Sequence, residues 1–132
     1  MNLLLNIDVP DISAAEAFYT AAFGLNPGRR FGEGCVELLG ATAAIYLLQK
    51  AEGSRGAAGS RRDYARHWTP LHCDVIVNDL DTALDKALAA GAVQEGDTRE
   101  ADWGRIVTLA DPFGHGWCLL QFLGRGYDEI AT

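Results

Sequence analysis

The stretch Leu3-Leu4-Leu5-Asn6-Ile7-Asp8-Val9-Pro10-Asp11-Ile12 recurs in pattern at Leu71-His72-Cys73-Asp74-Val75-Ile76-Val77-Asn78-Asp79-Leu80. In each copy apolar residues alternate along the segment, which then ends in aspartate and an apolar residue. Alternation with a period of two marks a strand. An aspartate at its end, just ahead of an alanine-rich run, marks the start of a helix. A recurrence of this kind predicts two similar halves rather than one continuous design.

Each strand leads into a helix that stops at glycine, Gly24 in the first half and Gly91 in the second. The first helix carries two start signals: Asp11 as a cap, and Ser13-Ala14-Ala15-Glu16 as a capping box. Phe18, Ala22 and Leu25 form its apolar stripe. The second helix runs from Asp79 through Leu80, Ala83, Leu84, Ala87 and Leu88. Its Asp81 and Asp85 lie toward the positive end of the helix dipole, which favours them by about a few tenths of a kcal/mol and explains them without catalysis. Cys35–Leu39 and Thr42–Gln49 read as a hairpin around Gly40-Ala41. Arg105–Ala110 and Trp117–Phe122 read as its counterpart around Asp111-Pro112-Phe113-Gly114, where proline presets the turn. The Gly-, Ser-, Ala- and Arg-rich stretch from Gln49 to Pro70 has the composition of a linker or mobile loop. The expected organisation is one domain over 1–132: a first module at about 1–50, a linker at about 51–69, a second module at about 70–123 and a tail at 124–132.

Bulk properties narrow the function. In 132 residues, 48% are apolar, enough for a substantial core. The net charge of -7 argues against nucleic acid, whose phosphates need a basic face. Cys35, Cys73 and Cys118 show no CxxC spacing, so a disulfide framework is not expected and a reducing cytosol is. The run Leu3-Leu4-Leu5 is too short for a signal sequence, and no stretch reaches membrane-spanning length.

Side-chain parity divides each strand. Leu3, Leu5, Ile7 and Val9 share one face, matched by Leu71, Cys73, Val75 and Val77. This apolar face is expected under the helix. The other face is mixed, with Leu4, Asn6 and Asp8 in one half and His72, Asp74 and Ile76 in the other. The last strand is apolar on both faces, Trp117 and Leu119 on one and Cys118, Leu120 and Phe122 on the other, so both should be covered. Ala44, Tyr46 and Leu48 fall with Cys118, Leu120 and Phe122. Two half-sheets facing each other through these rows would enclose an apolar pocket with Tyr46, His72 and Asp74 as polar points. A dimer core or a filled interior is the competing arrangement.

The order of motifs resembles the vicinal oxygen chelate group: the glyoxalases, bleomycin resistance proteins and extradiol dioxygenases. The resemblance rests on Phe18-Tyr19 and Phe23-Gly24-Leu25 in the first half. In the second it rests on His72, Asn78-Asp79-Leu80-Asp81, Ala89-Ala90-Gly91-Ala92, Asp111-Pro112-Phe113-Gly114-His115 and Leu119-Leu120-Gln121-Phe122. It implies an α+β fold of paired βαβββ modules, with curved mixed sheets around a pocket and commonly a homodimer. Members often hold a divalent metal on the first and last strands of each module. Those positions carry over to Leu4, Ala44 or Tyr46, His72 and Cys118. Only His72 matches the usual ligand type, and Cys118 stands where glutamate is expected. Two ligands fall short of the three in a typical catalytic site, so no cofactor is expected, and His72 is the metal-binding residue if any is.

The expected function is binding of an aromatic or amphipathic small molecule without metal, as in antibiotic sequestration. The candidate catalytic or ligand-contacting residue is His72, a base near neutral pH. The candidate ligand-binding residues are Tyr46, Leu48, Trp68, Asp74, Trp103, Cys118, Leu120 and Phe122. The alternatives are a metal-dependent lyase, isomerase or dioxygenase, in which loop residues or the tail acids Asp128 and Glu129 would have to complete the ligand set, a metal-free enzyme using His72, and a non-catalytic assembly module. A thiol–imidazole pair of Cys118 with His72 would need a lowered thiol pKa, and a buried inert cysteine is the simpler expectation. Arg55, Arg61, Arg62 and Arg66 either guide an anionic group or solvate the loop.

Overall fold

A computed structural model describes every residue from Met1 to Thr132. The chain divides into two compact units, Met1–Ala65 and Arg66–Thr132. The first contains β1 (Leu5–Val9), α1 (Ile12–Phe23), β2 (Asn26–Arg30), β3 (Cys35–Leu39) and β4 (Ile45–Gln49). The second contains β5 (Cys73–Ile76), α2 (Leu80–Ala90), β6 (Val93–Ala101), β7 (Gly104–Ala110) and β8 (Gly116–Phe122). Each unit is a βαβββ module with one open four-stranded sheet, in order β1-β4-β3-β2 and β5-β8-β7-β6. The first and last strands of each module pair in parallel and the other neighbours antiparallel. The repeat predicts two similar halves, and this is the α+β arrangement of paired mixed-sheet modules that the resemblance implies.

The same local chemistry builds both modules. Asp11 accepts the Ala14 N–H at 3.0 Å, so the first of the two start signals is the one used. Asp79 likewise accepts the Thr82 N–H at 3.1 Å. Gly24 and Gly91 end the helices with φ of 68° and 115°, conformations in which a β-carbon would clash with the backbone. A second cap comes from the sheet. Gln49 Oε1 accepts the Ile12 N–H at 2.9 Å, and Gln121 Oε1 accepts the Leu80 N–H at 2.9 Å. Gln49 is the last residue of β4 and Gln121 the next-to-last of β8, both inner strands, and each reaches the start of its module's helix. This pairing tightens the repeat beyond what the sequence pattern displays.

The apolar rows turn inward as parity predicts, although Leu5, Cys73, Val75 and Val77 are only half-buried. Ile7, Val9, Val36, Leu38, Ile45 and Leu47 are buried in the first module with Phe18 and Tyr19 of α1. Val107, Leu109, Trp117 and Leu119 are buried in the second, with Leu80 of α2. The rows start later than expected. Leu3 and Leu71 precede their strands and are 72% and 81% exposed, because no neighbouring strand extends that far to cover them. Both faces of β8 are covered, since Cys118 and Leu120 are as buried as Trp117 and Leu119.

Two strands, β2 and β6, are edge strands with mostly exposed residues, and the sequence reading did not single them out. Both are bulged against their neighbours, β2 between Pro27 and Arg30, and β6 between Glu95 and Arg99. A bulge interrupts the alternation that would announce a strand.

The stretch read as a linker is an ordered hairpin up to Ala65. Arg55 bridges Arg61, and Arg62 Nε reaches Asp8 at 2.6 Å. The tail is also structured: Gly126–Glu129 forms a 3-10 turn that places Tyr127 against Trp103 and Phe122. No helix is long and apolar enough to cross a membrane.

Candidate functional site

Pairing across the second sheet sets its mixed face in rows. Asp74 lies beside Cys118, which pairs with Thr108, which pairs with Glu95. One row on, Ile76 lies beside Leu120, then Ile106, then Arg99. Phe122 pairs with Gly104 and Gly104 with Ala101 in the row beyond. A strand rises about 3.3 Å per residue, so Cys118 and Phe122 are roughly 13 Å apart, the length of a drug-sized molecule. Cys118 and Leu120 form a buried floor, while Asp74, Ile76 and Arg99 are exposed along the sides.

His72 stands just before β5 and joins this face. Its Nε2 is 3.4 Å from Asp74 Oδ1, with side chains 35% and 30% exposed. The Trp68 ring lies against the imidazole with centroids 5.1 Å apart. The donor atoms of His72, Asp74 and Cys118 all fall within 4.8 Å of one another. Cys118 Sγ is also 3.6 Å from Thr108 Oγ1. Burial pushes the Cys118 thiol pKa up. The Thr108 contact and the Arg99 charge pull it down and Asp74 pushes it further up, leaving it raised. The side chain is therefore a thiol near neutral pH, without the thiolate that nucleophilic catalysis needs.

The other side of this corner is held by Arg66. It pairs with Glu95 at 2.7 Å and crosses Gly116, where an added β-carbon would lie 2.6 Å from Arg66 Nη2. Beneath it the Asp111 carboxylate, 0% exposed, organises the β7–β8 turn. It accepts the N–H groups of Phe113 at 2.8 Å and His115 at 3.0 Å, and the Trp117 indole N–H at 3.0 Å. It also lies 2.9 Å from His115 Nδ1. This gives Asp111 and His115 structural work that spacing alone did not reveal.

The remaining predicted site residues are distributed as follows. Tyr46 and Leu48 share the mixed face of the first sheet and are half-buried. The Tyr46 hydroxyl donates to Glu37 Oε1 at 2.9 Å, so it serves a local network rather than standing open to a ligand. In that network Arg29 Nη2 meets Glu37 Oε1 at 2.5 Å. The Arg29 and Tyr46 hydrogen bonds bring the Glu37 pKa from 4.5 to about 2, although only 5% of this residue is exposed. Gly28 makes this possible, since a β-carbon there would sit 2.6 Å from Glu37 Oε2. Trp103, favoured on sequence as a stacking surface, already faces Tyr127 at 5.3 Å. Phe122 meets the same tyrosine edge-on at 4.8 Å. The tail acid Glu129 pairs with Arg125 at 3.1 Å and takes no part in the His72 cluster.

Two residues of this face were missed on sequence, Thr108 and Arg99, and Arg66, read as a loop cation, is paired with Glu95 instead. Thr108 alternates correctly with Ile106 and could have been placed by parity. Arg99 could not, because it lies beyond the β6 bulge.

The ligand count also changes. Sequence positions supplied His72 and Cys118, and the strand register adds Asp74. A nitrogen, an oxygen and a sulfur donor suit zinc, which takes three protein ligands and one open position in catalytic sites. Ligands of a tetrahedral ion lie roughly 3.5 Å apart, so this cluster fits with a small contraction. A bound divalent ion would supply Lewis acidity there. His72, Asp74 and Cys118 would hold it, all from one module, and Leu4 and Ala44 contribute no donor.

Comparison with known proteins agrees with this architecture. A model of the glyoxalase-like domain matches residues 5–120. An uncharacterized protein of Mycobacterium bovis is 38% identical over 66 residues, which is 48% of this chain and 43% of that protein. A counterpart in Mycobacterium tuberculosis shows the same identity over 39% of its length. The matched segment thus spans less than half of these relatives. Among solved structures, TioX from Micromonospora sp. ML1 aligns with a TM-score of 0.72 at 19% identity, covering 93% of this chain and 99% of that one. The lactoylglutathione lyase of Agrobacterium tumefaciens aligns with a TM-score of 0.65 at 21% identity, covering 92% of each chain. The fosfomycin resistance protein FosX of Listeria monocytogenes aligns with a TM-score of 0.70 at 16% identity, also covering 92% of each. At such identities these structures establish the shared fold. With its paired βαβββ modules and a family match running from β1 into β8, the chain belongs to the glyoxalase-like domain family of the vicinal oxygen chelate superfamily.

Proposed function

We propose that this protein binds an amphipathic, partly aromatic small molecule on the mixed face of its second sheet. The supporting observation is the convergence of His72, Asp74 and Cys118 at one end of a face otherwise lined by Ile76, Ile106, Leu120 and Phe122. The polar end of the ligand contacts His72 and Asp74, and a ring packs against Trp68, 60% of which is exposed. Few polar groups on an apolar surface are the usual composition of such sites. The protein works as a cytosolic homodimer, in keeping with three free cysteines and the habit of the family. Sequestration of an antibiotic is one such role, and a structural neighbour carries the name of a fosfomycin resistance protein.

A thermal-shift screen of aromatic amphiphiles tests this reading. A ligand at about 100 times its Kd stabilises the folded state by about 2.7 kcal/mol. His72→Ala and Trp68→Ala should each remove most of that gain without unfolding the protein, since Trp68 is largely exposed and His72, partly exposed, precedes β5 and lies outside the apolar core. Binders that stabilise both variants as well as the parent would refute the assignment.

The three-donor cluster favours a second reading, a metal-dependent lyase, isomerase or dioxygenase. Elemental analysis separates the two. Stoichiometric zinc, lost in His72→Ala, Asp74→Ala and Cys118→Ala, would replace the metal-free reading. Turnover that survives chelation and disappears in His72→Ala would instead support a metal-free enzyme.

A further inference from the structure

The hairpin between Gln49 and Ala65 presents cations that no carboxylate neutralises. Of nine arginines, Arg29, Arg30, Arg62, Arg66, Arg105 and Arg125 each hold an acidic side chain. Arg99 on β6 holds none, and neither do Arg55 and Arg61 on the hairpin, in a chain with 18 acids against 11 bases. They also face each other. The Gly56 N–H donates to the Ser60 carbonyl at 2.7 Å and the Arg62 N–H to the Ser54 carbonyl at 2.8 Å, which brackets Arg55 and Arg61 as a non-hydrogen-bonded antiparallel pair. Such pairs bring Cα atoms to about 4.5 Å and put both side chains on the same side of the ribbon. Like charges directly opposite destabilise a ribbon.

The ribbon is nonetheless firmly anchored. Arg62 Nε binds Asp8 at 2.6 Å, Arg62 Nη1 donates to the Arg55 carbonyl at 2.5 Å, and the Tyr64 hydroxyl donates to the Lys50 carbonyl at 2.7 Å. Arg61 Nη1 donates to the Gly53 carbonyl at 2.9 Å, which holds its guanidinium along the ribbon. Arg55 is exposed. Two guanidinium forks on one side of an anchored ribbon offer paired N–H donors to a multiply charged oxyanion.

We propose that Arg55 and Arg61, both in the unit Met1–Ala65, form an anion site for a phosphate-type group on a small molecule. The anion removes the repulsion between the two arginines, so binding and ribbon stability are coupled.

The test is an NMR titration of the full chain with pyrophosphate, following backbone amides and arginine Nε–H signals, with sodium chloride added to a parallel sample at matched ionic strength. Arg55 and Arg61 side-chain signals and the Gly56 and Ser60 amides should shift and saturate. Arg30 and Arg125 should not follow, and chloride should leave all of them unmoved. The shifts should vanish in R55Q and R61Q. R55E should abolish the shifts and raise the Tm, because it replaces a repulsive cross-strand pair with an attractive one. Shifts that fail to saturate, that are shared by all exposed arginines, or that persist in R55Q/R61Q would overturn the proposal. So would a lowered Tm in R55E.

Discussion

Asp111→Ala should be among the most damaging substitutions outside the apolar core. The carboxylate is fully buried and accepts the N–H of Phe113 and the indole N–H of Trp117, at 2.8 and 3.0 Å. Both donor residues are themselves buried, at 6% and 5% exposure. Alanine removes this acceptor from both. A buried donor left unsatisfied costs about 1–3 kcal/mol. The His115 N–H is closer to solvent and adds less, because water can replace its partner. A total of about 3–5 kcal/mol follows, a large share of the roughly 5–15 kcal/mol that holds a domain folded. Asp111→Asn keeps one acceptor oxygen and should cost less than half as much. Urea denaturation followed by tryptophan fluorescence reads the difference. With a slope of about 2 kcal/mol per molar, the midpoint of Asp111→Ala should fall by about 2 M. A loss below about 1 kcal/mol would show that the turn holds its shape without the carboxylate.

Glu37 makes stability depend on pH. Its folded pKa of about 2 lies below its ordinary 4.5, so on acidification the unfolded chain takes up the proton first. The stabilisation is complete above about 4.5 and is lost as pH falls toward about 2, so the gap in urea midpoint between the parent and Glu37→Gln should narrow through that window. Gln49→Leu and Gln121→Leu each remove one helix-capping bond and should each cost about 0.5–1.5 kcal/mol in chemical denaturation, and equal effects would confirm that the two modules use the same device. Gly104→Ala places a β-carbon 2.7 Å from the Gln121 carbonyl oxygen, so β7 and β8 must move apart, and the Tm should drop by an amount corresponding to about 1–3 kcal/mol.

Much of the fold was legible because its signals are local. Asp11 and Asp79 cap helices using only the next three residues, and Gly24 and Gly91 stop them through their own backbone angles. The parity of Ile45 and Leu47, or of Trp117 and Leu119, is a property of one strand and survives in the structure. The edge strands were harder to read. β2 carries Pro27 and Gly28, and β6 carries Gly96, so bulges break their alternation and exposure removes the apolar signature.

The candidate site divides along the same line. His72 stood out in the sequence as an imidazole in a strand-like segment, and the repeat placed it opposite Leu4. Parity already set Asp74 on the same face as His72, but only the parallel register brings Cys118 beside Asp74 to complete the donor cluster, a contact between segments far apart in the chain. In the same way Arg29 met Glu37, Trp103 met Tyr127, and the presumed linker folded into an arginine ribbon tied to Asp8. Helix caps, stops and strand faces follow from backbone geometry over a few residues, so the amino-acid order by itself determined them. Which side chains end up as neighbours depends on strand pairing and bulges, which are settled by the packing of the whole module, and only the tertiary structure decided them.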